Sequence, residues 1–67
     1  MIYISLNGAQ RECAPDATVA TLVDTLSLTG RRIAVERNGA IVPRSRWGEV
    51  GLEEGDRLEI VGAVGGG

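Results

Sequence analysis

Apolar and polar residues alternate with a period of two in several short stretches of this chain. At its start, Ile2, Ile4 and Leu6 fall on one side of such a stretch, which is typical of a half-buried strand. The same alternation predicts five strands in all, at 1–6, 9–13, 32–37, 40–42 and 57–64. Arg11 would point to the inner side of the second strand, so we expect that strand to be short or to lie at a sheet edge.

The spacing of apolar residues changes between the second and third strands. They recur at intervals of three, one and three, at Val19, Leu22, Val23 and Leu26. This spacing predicts one apolar face of an amphipathic helix of about ten residues. Asp16 or Thr18 can cap its start with a side-chain oxygen. Gly30 is the expected end, because glycine readily takes a left-handed cap conformation.

Turn signals separate the predicted strands. Asn7-Gly8 and Asn38-Gly39 both favour a type I′ hairpin, since both residue types tolerate positive φ. Pro43 ends the fourth strand because proline cannot donate to a ladder. Residues 44–47 are predicted to form a single helical turn or a tight loop. Residues 53–56 are predicted to be a solvated turn and not a metal site.

The order of these elements predicts an α+β roll. One main helix would pack across one face of a mixed five-stranded sheet. The first and last strands are expected to be parallel neighbours in the middle, because the helix supplies the crossover that parallel strands need. The last strand then runs directly into the final glycines. We therefore predict one domain over residues 1–64, followed by a flexible glycine tail at 65–67.

Composition narrows the possible functions. The chain has 67 residues, one cysteine and no histidine. A single thiol cannot form an internal disulfide, and the lack of histidine argues against a zinc cluster or a hydrolase site. Cys13 could act as a persulfide relay, but it is predicted to be a small buried hydrophobe, because no basic neighbour that would lower its pKa is evident. No stretch approaches the ~20 apolar residues of a membrane span, and the lone thiol favours the cytoplasm.

The charges argue against a nucleic-acid partner. The formal net charge is −2, from nine acidic residues and seven arginines, and there is no lysine. The arginines are scattered along the sequence, so no stripe that could follow a phosphate backbone is evident. Without lysine, no side-chain amine of this chain could attack an activated carboxylate.

The chain ends in Val64-Gly65-Gly66-Gly67. Three glycines would carry the terminal carboxylate on a thin thread that could enter a tunnel too narrow for any Cβ. The alternative is a frayed end without function, because termini are commonly mobile. We expect residues beyond Ala63 to be disordered without a partner.

Several of these features together resemble the ThiS family of sulfur carriers in thiamine biosynthesis. They are the strand and helix pattern, the terminal Gly-Gly, a Glu-Gly-Asp turn before the last strand, and the motif formed by Asn38, Gly39, Ile41, Val42, Pro43, Arg44 and Trp47. The resemblance covers the whole chain and implies a β-grasp (ubiquitin-like) fold. The Gly-Gly end is shared with MoaD-type carriers and ubiquitin-like modifiers, whereas the Val-Pro-Arg-x-x-Trp segment favours ThiS.

The resemblance implies a chemistry that needs no catalytic residue and no bound cofactor or metal on this chain. A ThiF-like adenylating enzyme would use ATP to adenylate the carboxylate of Gly67, with Gly65, Gly66 and Gly67 threading into its active site. A sulfur-donating cysteine desulfurase system would then supply the sulfur of a thiocarboxylate. A ThiG-like thiazole synthase would receive that sulfur. The protein would therefore be a carrier and not an enzyme.

Strand alternation identifies a candidate docking surface on the sheet face away from the helix. It would be a small apolar patch rimmed by acidic residues beside the tail, formed by Tyr3, Ala34, Glu36, Glu59, Val61 and Ala63. Val64, at the start of the tail, is a further candidate for partner binding. Trp47 is predicted to pack at the sheet edge, because a lone tryptophan usually buries its ring. For Arg44 two roles stay open: an ion pair with Glu53 or Glu54, or a contact with a partner.

Other functions remain open from the sequence. A carrier for molybdopterin or cysteine synthesis has the same chemistry. A ubiquitin-like modifier would be activated in the same way and would end in an isopeptide bond to a lysine of a target. A binding module with an incidental tail would need no activation.

Overall fold

The structure is a computed structural model, and it describes residues 1–62; Ala63 to Gly67 lie outside the described residues. Five strands are present: β1 Ile2–Leu6, β2 Ala9–Cys13, β3 Ile33–Arg37, β4 Ala40–Ile41 and β5 Arg57–Gly62. The helix α1 spans Val19–Thr25, and a 3₁₀ turn spans Arg44–Arg46. The predicted helical turn at 44–47 is thereby confirmed.

The strands form one mixed sheet in the order β2-β1-β5-β3-β4. β1 and β5 are parallel neighbours at the centre, and the other pairs are antiparallel. The predicted α+β roll and its central parallel pair are confirmed. No helix within residues 1–62 is long and apolar enough to cross a membrane.

One face of the sheet packs against α1 and forms the core. The helix contributes Val19, Leu22 and Val23, all buried. From the sheet come Ile4, Val35, Leu58 and Ile60, also buried. A seven-residue helix is too short to be stable alone, so this contact with the sheet stabilises it. The Thr18 hydroxyl caps it by accepting from the Thr21 N–H at 3.2 Å.

The helix ends earlier than predicted. Leu26 is its C-terminal cap, and Ser27 already takes a left-handed φ of 61°. Gly30 does have a positive φ of 85°, but it lies in the loop that follows. Gly30 was the expected end of the helix because a left-handed φ is uncommon for residues other than glycine. Here Ser27 adopts it instead.

Both Asn-Gly turns have the predicted positive φ, and both asparagine side chains bond to β5. Asn7 accepts from the Ile60 N–H at 2.9 Å and donates to the Ile60 carbonyl at 3.1 Å. Asn38 accepts from the Arg57 N–H at 2.9 Å. The two hairpins therefore hold the central strand near its end and at its start.

The turn at 53–56 corrects one prediction, because Asp56 is buried and not solvated. Its carboxylate accepts from Arg37 Nε at 2.7 Å, from the Glu53 N–H at 2.9 Å and from Asn38 Nδ2 at 3.1 Å. Burial alone would raise the pKa of Asp56, but these hydrogen bonds and the Arg37 charge outweigh it and lower the pKa below its ordinary value. Arg37 thus attaches the end of β3 to this turn.

Candidate functional site: the tail root and the outer sheet face

The root of the tail lies at the end of the central strand. Gly62 is the last residue of β5 and stands opposite Ile33 at the start of β3. On the other side, Asn7 bonds to both backbone groups of Ile60. The last residues of β5 are therefore held by β3 on one side and by the turn after β1 on the other. The predicted tail residues and the docking candidates Ala63 and Val64 lie outside the described residues.

Four of the predicted docking residues lie together on the sheet face away from α1. Ala34 stands opposite Val61, and Glu36 opposite Glu59, on the adjacent strands β3 and β5. Val61 is 57% exposed. Two carboxylates directly opposite each other destabilise a sheet. An acidic pair beside an exposed valine is therefore more consistent with a binding surface than with stability alone.

Tyr3 lies on the same face but is not part of this group. Because β1 is parallel to β5 with Ser5 opposite Arg57, Tyr3 lies beside the turn that precedes β5. Its N–H donates to Glu54 Oε1 at 3.1 Å, and its carbonyl accepts from the Gly55 N–H at 2.8 Å. Val61 is about 20 Å further along the strand direction, at ~3.3 Å per residue. The structure thus separates Tyr3 from the tail root.

Sequence reasoning missed Ile41 as a surface residue. Ile41 on the edge strand β4 is 62% exposed and stands opposite Glu36. The buried neighbour Val42 was the available signal, since adjacent strand residues point to opposite faces. We call the surface formed by Ala34, Glu36, Ile41, Glu59 and Val61 the outer patch.

Cys13 is a core residue, as predicted. It is buried, and burial raises the pKa of its thiol. The prediction that it lacks a basic neighbour is wrong, because Arg11 is close enough for its charge to lower the thiol pKa. The effect of burial is larger, so the pKa is raised overall. A protonated, buried thiol is a poor nucleophile. Arg11 itself is exposed, which the edge position of β2 allows.

Trp47 is buried, and its indole N–H donates to the Val42 carbonyl at 2.9 Å. Its predicted packing role is confirmed. Arg44 lies over the Trp47 ring, with Cζ 4.7 Å from the ring centroid, and donates to the Arg31 carbonyl at 2.8 Å. The carboxylate of Glu53 pairs with Arg37 and not with Arg44. Within residues 1–62, no group of three or more metal-binding side chains could hold an ion.

Comparison with known proteins agrees with this architecture. The ThiS family model matches residues 4–67. The crystal structure of the thiamine biosynthesis protein ThiS from Geobacter metallireducens superposes with a TM-score of 0.85 at 25% identity, covering 98% of this chain and 100% of that one. The fold is therefore the β-grasp fold that the resemblance implied.

The relatives found by sequence include a sulfur carrier protein and thiazole synthases. The sulfur carrier protein ThiS of Bacillus subtilis is 37% identical over 65 residues, which is 96% of this chain and 98% of that protein. A thiazole synthase of Paramagnetospirillum magneticum is 44% identical over 62 residues, or 92% of this chain. The chain spans only about a fifth of that protein and of a second thiazole synthase, 19% and 20% respectively. The family match and the shared fold show that this chain belongs to the ThiS family.

Proposed function

We propose that this protein is a sulfur carrier of thiamine biosynthesis, and that the carboxylate of Gly67 is the group that carries the sulfur. The observation that supports this most is the family match, which runs from residue 4 through residue 67. The relative from Bacillus subtilis, named as a sulfur carrier, matches at nearly full length. The fold adds a physical reason, because it places the root of the glycine tail at the end of the most enclosed strand.

The proposed chemistry takes place on the terminal carboxylate. A carboxylate oxygen attacks the α-phosphorus of ATP, and pyrophosphate leaves. A persulfide sulfur then attacks the acyl carbon, and AMP leaves with the former carboxylate oxygen. A thiol cleaves the resulting acyl disulfide, which releases a disulfide and leaves a thiocarboxylate on Gly67. Apart from the terminal carboxylate itself, no step requires an acid, base or nucleophile from this chain, so we propose a carrier and not an enzyme.

Three partners follow from this proposal: a ThiF-like adenylating enzyme, a cysteine desulfurase system and a ThiG-like thiazole synthase. The thiazole synthases that match this chain support the third. In each of them a segment similar to this chain makes up about a fifth of the protein. One polypeptide that holds both parts is expected where donor and acceptor act together. The proposed compartment is the cytoplasm, because the single thiol suits reducing conditions.

Intact mass measures the proposed loading directly. After incubation with ATP, the adenylating enzyme and a sulfur source, we expect the protein to gain ~16 Da, the difference between sulfur and oxygen. The same mixture without ATP is the control and should show no gain. Conjugates of high mass would indicate a protein modifier instead. An unchanged mass with an enzyme that loads a related carrier would refute the sulfur carrier proposal.

The outer patch is the proposed docking surface for the adenylating enzyme. Val61→Asp adds a third carboxylate beside Glu36 and Glu59, so an apolar contact becomes a charged one. We expect the KM for this protein in ATP–pyrophosphate exchange to rise about tenfold or more. Stability should change little, since Val61 is exposed.

Tyr3→Asp is the matched control for this experiment. It places the same charge on an exposed apolar residue of the same face, far from the tail root. Its KM should stay within about twofold of the unmodified protein. Equal KM values for Val61→Asp and Tyr3→Asp would show that the outer patch does not dock the enzyme.

A further inference from the structure

Three of the seven arginines lie together beside the root of the tail. Arg31 and Arg32 precede β3, and Arg44 follows β4 and donates to the Arg31 carbonyl at 2.8 Å. We call these three residues the basic edge. Within the part of the chain that the structure describes, Arg37 and Arg46 pair with carboxylates, and the other five arginines form no salt bridge. The basic edge differs from Arg11 and Arg57 because its three members come from two segments that meet at the start of β3.

One member of the basic edge, Arg44, is held in place by a buried side chain. Arg44 lies over the ring of Trp47, and Trp47 is fixed in the core by its hydrogen bond to Val42. Stacking on the ring and bonding to the Arg31 carbonyl keep the 3₁₀ turn close to the loop before β3. Guanidinium groups are suited to binding carboxylates, and the Arg44 guanidinium is already held in one position beside the segment that carries Arg31 and Arg32.

A groove of about 380 Å³ lies beside the basic edge and reaches the tail root. Leu28, Ile33 and Ile60 give it an apolar lining, and Arg31 and Arg32 give it charge. Val61 and Gly62 complete the wall. The groove is therefore continuous with the outer patch through Val61 and with the tail through Gly62.

We propose that the basic edge and this groove bind an acidic segment of the enzyme that activates the tail. Carboxylates of that segment would pair with Arg31 and Arg32, and an apolar side chain would enter the groove. This inference rests on the proposed function. Gly67 is five residues beyond Gly62, which is at most ~18 Å of chain, so an enzyme acting on Gly67 must stand close to the groove.

This binding mode has a kinetic consequence. Charge complementarity at the rim of an interface mainly accelerates association, and salt screens it. The outer patch is acidic and the basic edge is cationic. The two surfaces together would orient the carrier so that the tail root faces the active site.

The test uses charge reversal at Arg32→Glu, compared with Arg11→Glu. Both variants change the net charge equally. Arg11 is exposed on the edge strand β2, which is separated from β3 by β1 and β5, so it lies away from both the groove and the outer patch. We expect the first variant to raise the KM in ATP–pyrophosphate exchange about tenfold at low salt, with kcat within about twofold. The control should stay within about threefold, and added salt should narrow the difference between the two variants.

The possible results separate this proposal from the proposed function. Without exchange by the unmodified protein, the proposed function fails and this inference fails with it. If that protein is active but the two variants have equal KM values, only this inference is overturned. A KM lowered by Arg32→Glu would also overturn it, because the groove would then hold the chain's own terminal carboxylate. Loss of a dimer of the unmodified protein on charge reversal would assign the groove to a second copy and overturn it too.

Discussion

Removal of Gly66 and Gly67 will abolish sulfur loading and leave the fold intact. Every buried core residue in the described part of the chain lies between Ile4 and Ile60, so the deletion takes nothing from this core. The body should therefore keep its thermal midpoint and its affinity for the adenylating enzyme through the outer patch. The carboxylate of the shortened tail would end two residues, or about 7 Å, before the position at which it reacts. We expect no ~16 Da gain in intact mass.

A full-length protein whose Gly67 carries a terminal amide is the matched control. It keeps the length of the tail and removes only the acid, so it too should bind the enzyme and should not be loaded. The truncated protein tests whether loading needs the full length of the tail, and the amidated protein tests whether it needs the terminal carboxylate. Loading of either protein at the rate of the unmodified one would contradict the proposal. Loss of enzyme binding in both would mean that the tail itself, and not the outer patch, supplies the affinity.

The strands and hairpins could be predicted because their causes are local. The two Asn-Gly pairs need positive φ, and the structure shows it at Asn7, Gly8, Asn38 and Gly39. The outward set of Ala34, Glu36, Glu59 and Val61 follows from alternation alone. Which of these residues are neighbours depends on register. The parallel register of β1 and β5 separates Tyr3 from the other four residues, and no local sequence pattern predicts that register.

The remaining features depend on contacts between distant parts of the chain. The basic edge requires the loop before β3 to meet the 3₁₀ turn after β4, so the arginines that seem scattered in sequence are adjacent in space. Asp56 was predicted to be solvated because it lies in a polar turn. Its burial depends on Arg37, which is 19 residues away and reaches it only once β3 pairs with β5.

The interaction of Asp56 with Arg37 should contribute much of the stability of this small domain. The Asp56 side chain is 7% exposed, and its carboxylate accepts from three groups, Arg37, Asn38 and the Glu53 N–H. Asp56→Asn removes the anion closest to Arg37. It also places an amide NH₂, which can only donate, among groups that donate to Asp56. We expect the free energy of unfolding in urea to fall by about 3 kcal/mol. A domain of this size commonly has only ~3–5 kcal/mol in total, so the variant should be partly unfolded at 37 °C.

Glu53→Ala is the control, because Glu53 also pairs with Arg37, at 3.3 Å, but its side chain is 79% exposed. A surface pair contributes little, so this variant should lose less than about 1 kcal/mol. Similar losses for Asp56→Asn and Glu53→Ala would show that neither the burial of Asp56 nor its additional hydrogen bonds matter. Both carboxylates share the same guanidinium, so the comparison measures what burial and the hydrogen bonds from Asn38 and the Glu53 N–H add to the ion pair.

Acid should remove the advantage that Asp56 provides. The folded state holds the pKa of Asp56 below its ordinary value of 3.8. A carboxyl group with a lowered folded pKa stabilises the protein fully above its unfolded pKa, and this contribution is lost as the pH falls through the folded one. The difference in the free energy of unfolding between the unmodified protein and Asp56→Asn should therefore be constant near neutrality and narrow below pH 3.8. A difference that stays constant into strong acid would mean that Asp56 stabilises the turn as a neutral hydrogen-bonding group and not as the anion of the Arg37 pair.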